Sequence, residues 1–123
     1  MGHIGVARDI RAKFNLDNAK RIELRWPEIG TINNQNLPSL TIDIKDHDAC
    51  KKYFAVEMDH VNVGPSPKWL QNRLKAIGLK PINNVVDISN FVQRELGTPV
   101  HIFDAAKTGT TLEVRTAKAN ENL

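Results

Sequence analysis

The sequence lacks several features that would assign it to a well-defined class of protein. Cys50 is the single cysteine among 123 residues, which excludes an intramolecular disulfide and fits a reducing cytoplasm. No run of about 18 apolar residues occurs, so no membrane span is expected. The first residues contain no apolar core of the kind found in secretory signals. With 41% hydrophobic and 25% charged residues, the composition is that of an ordinary soluble globular protein.

Familiar catalytic and cofactor motifs are absent as well. The sequence has no Walker loop and no Gly-x-Gly-x-x-Gly loop, so it carries no phosphate cradle of its own. It has no Gly-x-Ser-x-Gly turn, and no serine has a motif-matched base. No pair among the four histidines has the spacing of zinc ligands: His3, His47, His60 and His101. We therefore expect this chain to bind no metal and no cofactor.

Two features of the charge pattern leave alternatives open. The net charge of +3 permits contact with nucleic acid without requiring it. Between Pro65 and Pro81 the charged residues are all basic, and this set is either a phosphate-facing patch or the solvated face of one helix: Lys68, Arg73, Lys75 and Lys80. Cys50 precedes two lysines and is either a reactive thiol or a small residue at the start of a strand.

Hydrophobic periodicity predicts a helix followed by two strands in the first part of the chain. Apolar residues recur at helical spacing over residues 3–15. Strict alternation over residues 21–26 predicts a half-buried strand that ends at Pro27. Residues 28–39 are rich in asparagine, glycine and proline and are predicted to be a loop, and residues 40–44 alternate again as a second strand.

The rest of the chain predicts a strand, two helices and a last strand. Residues 52–63 alternate as a long strand with an irregularity at Asp59-His60. Ser66-Pro67 predicts the start of a helix over residues 67–77, with Ser66 as its N-cap. A second helix is predicted over residues 84–96, with Gly97 as its C-cap and these residues facing inward: Val85, Ile88, Val92 and Leu96. A final strand is expected around Leu112 and Val114, followed by a polar tail from Lys118 that can fray.

This order of elements predicts an α+β fold. We expect a mixed sheet that contains the strand from Lys52 and the strand near Leu112, with both later helices packed on it. The N-terminal helix and first two strands should form a smaller, partial α/β layer. A polar link at residues 46–49 suggests two domains, 1–46 and 47–123.

A candidate polar site lies at the C-terminal end of the helix predicted over residues 84–96. Helical spacing places Asn90 on a face near Asp87 and Arg94, away from the predicted apolar stripe. The Gly97-Thr98-Pro99 turn reverses the chain, so that His101 can return beside the helix. An imidazole near an amide can bind a hydroxyl or carbonyl group or hold a water for hydrolysis. The same pattern also fits an ordinary hydrogen-bonded histidine in a loop.

A long segment of the sequence resembles one enzyme family. The segment PSPKWLQNRLKAIGLKPINNVVDISNFVQRELGTPVHIFDAAK, residues 65–107, resembles the first half of the tRNA-editing module of the bacterial phenylalanyl-tRNA synthetase beta subunit. The upstream HIGVARDIRA resembles the end of the domain that precedes this module, and residues 50–63 resemble its opening strand. Departures from the family pattern include Lys68, Ser89, Phe91, Thr98 and Ile102.

The resemblance implies a role in tRNA charging and its correction. The family attaches phenylalanine to its tRNA with ATP and Mg²⁺, which are bound mainly by an alpha subunit in a heterotetramer of two alpha and two beta chains. The editing module hydrolyses the ester of tyrosine wrongly joined to that tRNA. The family's enzyme is cytoplasmic and does not associate with a membrane. Asn90 and His101 match the family's editing-pocket positions, with Ser89 and Pro99 lining the same region. The glutamate that reads the phenol lies further downstream in the family, so this chain is expected to supply one wall of the pocket and to be inactive alone.

An alternative function remains open from the sequence. Fragments of synthetases can persist as tRNA-binding or protein-binding modules without catalysis. The basic residues between Pro65 and Pro81 would then form the contact surface.

Overall fold

The computed structural model describes residues 2–17, 21–31 and 40–121, and it confirms the predicted α+β class. Six helices and strands occur in these residues: α1 (His3–Asp17), β1 (Thr41–Ile44), α2 (Lys68–Ala76), α3 (Asn84–Leu96), α4 (Ala105–Thr108) and β2 (Thr111–Val114). None of the helices in the described ranges combines the length and the apolar character that a membrane crossing requires.

The chain forms two compact units. The helical unit consists of Met1–Thr31 and Asn62–Ile102, and the strand unit consists of Ile32–Val61 and Phe103–Leu123. The helical unit contains α1, α2 and α3, and the strand unit contains β1, α4 and β2. Each unit is therefore assembled from two separate stretches of the chain.

In the helical unit, α3 packs against both α1 and α2. Leu70 and Leu74 of α2 are 1% and 0% exposed and form its apolar core. Gly2, just before α1, is also buried. A Cβ atom at Gly2 would lie 2.4 Å from the backbone nitrogen of Gly97, so only glycine permits α1 to approach the end of α3 this closely.

The residue range of α3 and its C-cap at Gly97 are as the sequence predicts, whereas its N-cap at Asn83 was not predicted. The Asn83 side chain accepts a hydrogen bond of 2.9 Å from the Val86 N–H and caps the N-terminus. Gly97 adopts the left-handed conformation with φ 79° at the C-cap. The predicted cap of α2 is wrong, because the N-cap is Pro67 and no side chain caps it. The Ser66 hydroxyl instead donates a hydrogen bond to the carboxylate of Asp87.

The buried face of α3 differs from the predicted apolar stripe. Ile88 is 52% exposed and Leu96 is also exposed, whereas Asp87 is fully buried. Helical spacing places Phe91 one turn after Asp87, and the Phe91 ring is half-buried. The prediction failed at these positions because it treated the carboxylate of Asp87 as a surface group, although neighbouring hydrogen-bond donors satisfy it.

The strand unit contains a short parallel pair of strands. Thr41, Ile42, Asp43 and Ile44 of β1 pair in register with Thr111, Leu112, Glu113 and Val114 of β2. Both strands were predicted, but the predicted partner of the last strand was wrong, because β2 pairs with β1 rather than with residues from Lys52 onwards. The short helix α4 was not predicted, although the Asp104 carboxylate caps it by accepting a 3.1 Å hydrogen bond from Ala106.

Two predicted strands do not form. Over residues 21–26 the backbone of Ile22 is bonded to the side-chain amide of Asn15, which accepts from the Ile22 N–H at 2.9 Å and donates to its carbonyl at 3.3 Å. Over residues 52–63 the chain has no regular secondary structure, and Phe54 is 85% exposed. An alternating sequence becomes a strand only where another strand pairs with it, and no described segment does so. At His60, where an interruption of that strand was predicted, the backbone is left-handed with φ 53°, but there is no strand for it to interrupt.

The predicted N-terminal layer divides between the units, since α1 packs against α3 and β1 pairs with β2. The domain boundary after residue 46 stays a prediction. In the predicted loop, residues 28–31 are irregular, and residues 32–39 lie outside the described residues. In the tail, the carboxylate of Glu121 accepts a 2.7 Å hydrogen bond from the Lys118 N–H, and residues 122–123 lie outside the described residues, so fraying of the tail stays a prediction.

Candidate functional site

Ser89 and Asn90 lie in the middle of α3, and both are half-buried. The Ser89 hydroxyl donates a 2.8 Å hydrogen bond to the carbonyl of Val86, one turn earlier in the same helix. This bond fixes the rotamer of Ser89 and leaves its oxygen able to accept a hydrogen bond. Asn90 presents an amide with two donor hydrogens and an acceptor oxygen.

Pro99 and His101 lie in the chain that leaves α3, and both are exposed. The left-handed Gly97 ends the helix and redirects the backbone, as the Gly-Thr-Pro sequence predicts. All four predicted editing residues therefore belong to the helical unit, two on α3 and two in the segment after it. Their assignment to a single pocket wall stays a prediction.

The buried carboxylate of Asp87 stabilises the N-terminal end of α3, the helix that carries Ser89 and Asn90. Asp87 is 0% exposed, and its carboxylate accepts hydrogen bonds from the Ser66 hydroxyl and, at 2.9 Å, from the Ile82 N–H. Ser66 precedes α2 and Ile82 lies between the two helices. Asp87 therefore fastens the start of α2 and the α2–α3 connection to the first turn of α3, and no sequence-based argument assigned it this role.

The neighbouring Asn84 fastens a further segment. Its side chain donates to the carbonyl of Asn62 at 2.9 Å and accepts from the N–H of Gly64 at 3.0 Å, and its own N–H donates to the Gly64 carbonyl at 2.8 Å. This arrangement imitates one step of a β-ladder. The run Asn83-Asn84-Val85-Val86-Asp87 is thus a framework that anchors the N-terminal end of the helix carrying Ser89 and Asn90.

The four predicted nucleic-acid contacts are exposed, but they do not share one surface of α2. Lys68 and Lys75 lie on the same side of the helix, because seven residues make nearly two turns. Arg73 lies on roughly the opposite side, and Lys80 follows the end of the helix. The role of these residues in binding stays a prediction.

Arg73 lines a cleft of about 320 Å³ between the helices of the helical unit. Arg94 of α3 and His3 of α1 line the same cleft, and the apolar groups beside them are Leu74, Ala76, Ile77 and Phe91. Glu95 is the acidic residue at this cleft. Within the described ranges, neither arginine forms an ion pair or a side-chain hydrogen bond. Sequence-based reasoning missed Arg94 and His3, because they come from helices other than α2.

An aromatic pair lies next to Arg73. The rings of Trp69 and Phe91 meet edge to face, with centroids 5.6 Å apart and an interplanar angle of 85°. Trp69 is one helical turn before Arg73 and remains 54% exposed. An accessible indole therefore lies one helical turn from a guanidinium group that lines the cleft.

Among the described residues, the side chains with clearly shifted pKa values belong to the strand unit and not to the helical unit that contains the candidate site. Hydrogen bonding to Arg115 lowers the pKa of Glu121 to about 2, and the same pair raises the pKa of Arg115. A hydrogen bond to Asp43 raises the pKa of Lys45. Among the described residues, no three histidine, cysteine or acidic side chains are grouped so as to hold a metal ion.

Comparison with known proteins identifies the family. The model of the B3/4 domain matches residues 49–123. Over its whole length the chain is 40% identical to a protein of Fusobacterium nucleatum named phenylalanine–tRNA ligase beta subunit, and it covers 15% of that protein. Proteins with the same name from Solibacter usitatus and Porphyromonas gingivalis are 43% and 46% identical over 98% and 85% of the chain. The chain covers 15% and 13% of these two proteins.

Proposed function

We propose that this chain, which belongs to the B3/4 domain family, is part of a phenylalanine–tRNA ligase beta subunit and contributes to hydrolytic editing of Tyr-tRNA. One observation carries the proposal. The similarity to beta subunits is continuous, with 40% identity over 100% of the chain in one relative and 43% over 98% in another. Because the chain spans only about a seventh of their length, the activity belongs to the longer protein.

The chemical need for such a site follows from the substrates. Tyrosine differs from phenylalanine by one hydroxyl group, and an apolar pocket rejects an added hydroxyl poorly. A second site that hydrogen-bonds the phenol can accept tyrosine and exclude phenylalanine. In the family the glutamate that reads the phenol lies downstream of the segment that this chain resembles, so the residues of this chain would supply one wall of the pocket.

In this proposal, Asn90 and His101 position the ester end of the tRNA and the attacking water. The amide of Asn90 offers donors and an acceptor from the rigid helix α3. His101 follows the Gly97 turn on an exposed segment, which suits a group that meets a large substrate. A site that used the ribose hydroxyl of the substrate would need the same positioning, so neither residue has to be a general base. Ser89 and Pro99 would line the pocket beside them.

The proposal also implies partners. Attachment of phenylalanine would require an alpha subunit, with ATP and Mg²⁺ bound mainly there and none of the residues of this chain assigned to them. The tRNA for phenylalanine would be the shared substrate, and the two subunits would form a heterotetramer in the cytoplasm. No membrane is among the proposed partners.

The test is a deacylation assay with Tyr-tRNA on the full-length subunit complex. Replacement of either residue, Asn90→Ala or His101→Ala, is expected to slow hydrolysis by about tenfold or more, since positioning groups contribute strongly to rate. Aminoacylation with phenylalanine should be unchanged and serves as the control for folding and assembly. Thr98→Ala, at the exposed neighbour of Pro99, is the matched substitution with a small expected effect.

Two results would contradict the proposal. Unchanged hydrolysis in both variants would remove Asn90 and His101 from the site. Salt-dependent tRNA binding without any hydrolysis by the wild-type complex would favour the alternative, a binding module without catalysis.

A further inference from the structure

We infer that the cleft between α1, α2 and α3 binds a single-stranded segment of RNA, with Arg73 and Arg94 on phosphate groups and Trp69 stacked on a base. The inference rests on the proposed function, because tRNA is then the RNA that the protein meets. The inferred surface uses residues other than Asn90 and His101, although Arg94 lies one helical turn after Asn90. It also replaces the continuous patch of four basic residues that the sequence had suggested.

The two arginines provide the first argument. They come from different helices and line the same cleft of about 320 Å³. Both are exposed, and no carboxylate among the described residues pairs with either of them. A guanidinium group presents five donors in a planar fork that matches phosphate oxygens. Two guanidinium groups without an ion-pair partner among the described residues favour an anionic ligand at this cleft, where Glu95 is the opposing charge in the described lining.

The indole provides the second argument. Trp69 leaves 54% of its surface exposed, although its ring meets the edge of Phe91. The Phe91 contact holds the indole in one orientation while a large part of it stays open to a ligand. Exposed aromatic rings beside arginines are the usual means of binding unpaired nucleotides, because bases stack on the ring and phosphates meet the cations.

The geometry of α2 separates this surface from the remaining lysines. Trp69 and Arg73 are one turn apart on one side of α2, where Trp69 meets Phe91 of α3, and Lys68 and Lys75 lie on roughly the opposite side. The two lysines have the same charge as the two arginines and are also exposed. They therefore form a matched control for any effect that depends on charge alone.

The test measures RNA binding by the full-length protein, purified with its partner subunit. The probes are a tRNA transcript for phenylalanine and a labelled single-stranded RNA of about 12 nucleotides, a length within the range of known single-strand sites. Fluorescence anisotropy is recorded at several salt concentrations. The variants are the double substitution Arg73→Gln with Arg94→Gln, the single substitution Trp69→Leu, and the control Lys68→Gln with Lys75→Gln.

The arginine and tryptophan variants should both bind single-stranded RNA more weakly, but only the arginine variant should change the salt dependence of the affinity. Loss of both arginines is expected to weaken single-strand binding by roughly tenfold or more and to reduce the slope of log affinity against log salt by about 1.4. Trp69→Leu is expected to weaken it by about 5-fold to 100-fold with the slope unchanged. Trp69→Phe, which keeps an aromatic ring, should retain most of the affinity and shows that the loss is not due to misfolding. The lysine control should bind like the wild type.

Three results would overturn the inference. They are normal binding by the arginine variant, an equal loss in the lysine control, and equal competition by double-stranded RNA of the same length. Phenylalanine attachment to tRNA by the wild-type complex separates the two proposals. Its absence would reject the proposed function, whereas its presence with normal binding in the arginine variant would reject the cleft alone.

Discussion

The interactions inside the helical unit differ in kind from those inside the strand unit. In the helical unit, polar side chains bond to backbone groups of distant segments, and the central one, Asp87, is fully buried. In the strand unit, a four-residue parallel ladder is flanked by exposed ion pairs such as Lys45–Asp43 and Arg115–Glu121. A buried hydrogen bond and several partly buried ones stabilise the helical unit, and exposed ion pairs that water and salt weaken flank the ladder of the strand unit.

This difference predicts which substitutions will lower the free energy of unfolding most. A buried acceptor cannot be removed without leaving its donors unsatisfied, whereas an exposed ion pair contributes little when isolated. Leu70 and Leu74 add a small apolar core to the helical unit alone among the described residues. Four comparisons, from the largest expected effect to the smallest, examine this contrast.

The largest effect is expected at Asp87. Its replacement by alanine would leave the Ser66 hydroxyl and the Ile82 N–H without their acceptor, which should lower the free energy of unfolding by about 3 kcal/mol. Urea denaturation followed by circular dichroism measures the change. Asp9→Ala, at an exposed position of α1, is the matched control and should stay within about 0.5 kcal/mol of wild type. Equal effects at the two positions would contradict the structural role of Asp87.

A steric change should come next. In Gly2→Ala the new Cβ would overlap the backbone at Glu95, Leu96 and Gly97, so α1 has to move away from the end of α3. Overpacking of this kind costs about 1–3 kcal/mol. The control is Gly64→Ala, where no atom lies within 4 Å of the added Cβ. Thermal unfolding that shifts as much for the control as for Gly2→Ala would show that the close approach is unimportant.

A smaller effect is expected at Asn84, which bonds the segment of residues 62–64 through its side chain. Asn84→Ala removes two hydrogen bonds, and because the site is only partly buried the expected loss is about 1 kcal/mol. Amide hydrogen exchange should also accelerate at Gly64, whose N–H loses its acceptor. Asn72→Ala on the exposed side of α2 should change neither quantity. Unaltered exchange at Gly64 in the Asn84 variant would exclude the proposed anchor.

The smallest effect concerns the ion pair at the end of the strand unit. Arg115 lowers the pKa of Glu121 from 4.5 to about 2, so the pair stabilises the tail fully above the ordinary carboxylate pKa. This contribution is lost as the pH falls from about 4.5 towards 2. Protection of the Lys118 amide, measured by pH-dependent nuclear magnetic resonance, should decline over that window. In Glu121→Gln the acid step should vanish, and its persistence would assign it to another group.

The fold could be predicted from the sequence where local interactions decide it. The bounds of α3 follow from the cap at Asn83 and the left-handed Gly97, both contained within a few residues. The strand prediction for residues 52–63 was wrong because alternation states which faces a strand would have, and not whether a partner exists. The cap prediction for Ser66 was wrong for a related reason, since its hydroxyl found a buried partner 21 residues away.

The candidate site was predictable only in part. Residue types and family resemblance singled out Asn90 and His101, and the structure describes both in the helical unit, although their shared pocket stays a prediction. The framework role of Asn84 and Asp87 was not predicted, because their partners are backbone groups that the sequence does not identify. The cleft with Arg73 and Arg94 depends on three helices meeting, which no periodicity reveals.

By itself, the sequence determined the positions of α1, α2, α3, β1 and β2, the turn at Gly97 and the family of the chain. These features depend on local propensity and residue identity. Only the tertiary structure decided which strands pair, which face of α3 is buried and which cations share a surface. Those choices depend on contacts between residues far apart in the chain, where a buried hydrogen bond such as Ser66–Asp87 outweighs the local preference for a helix cap.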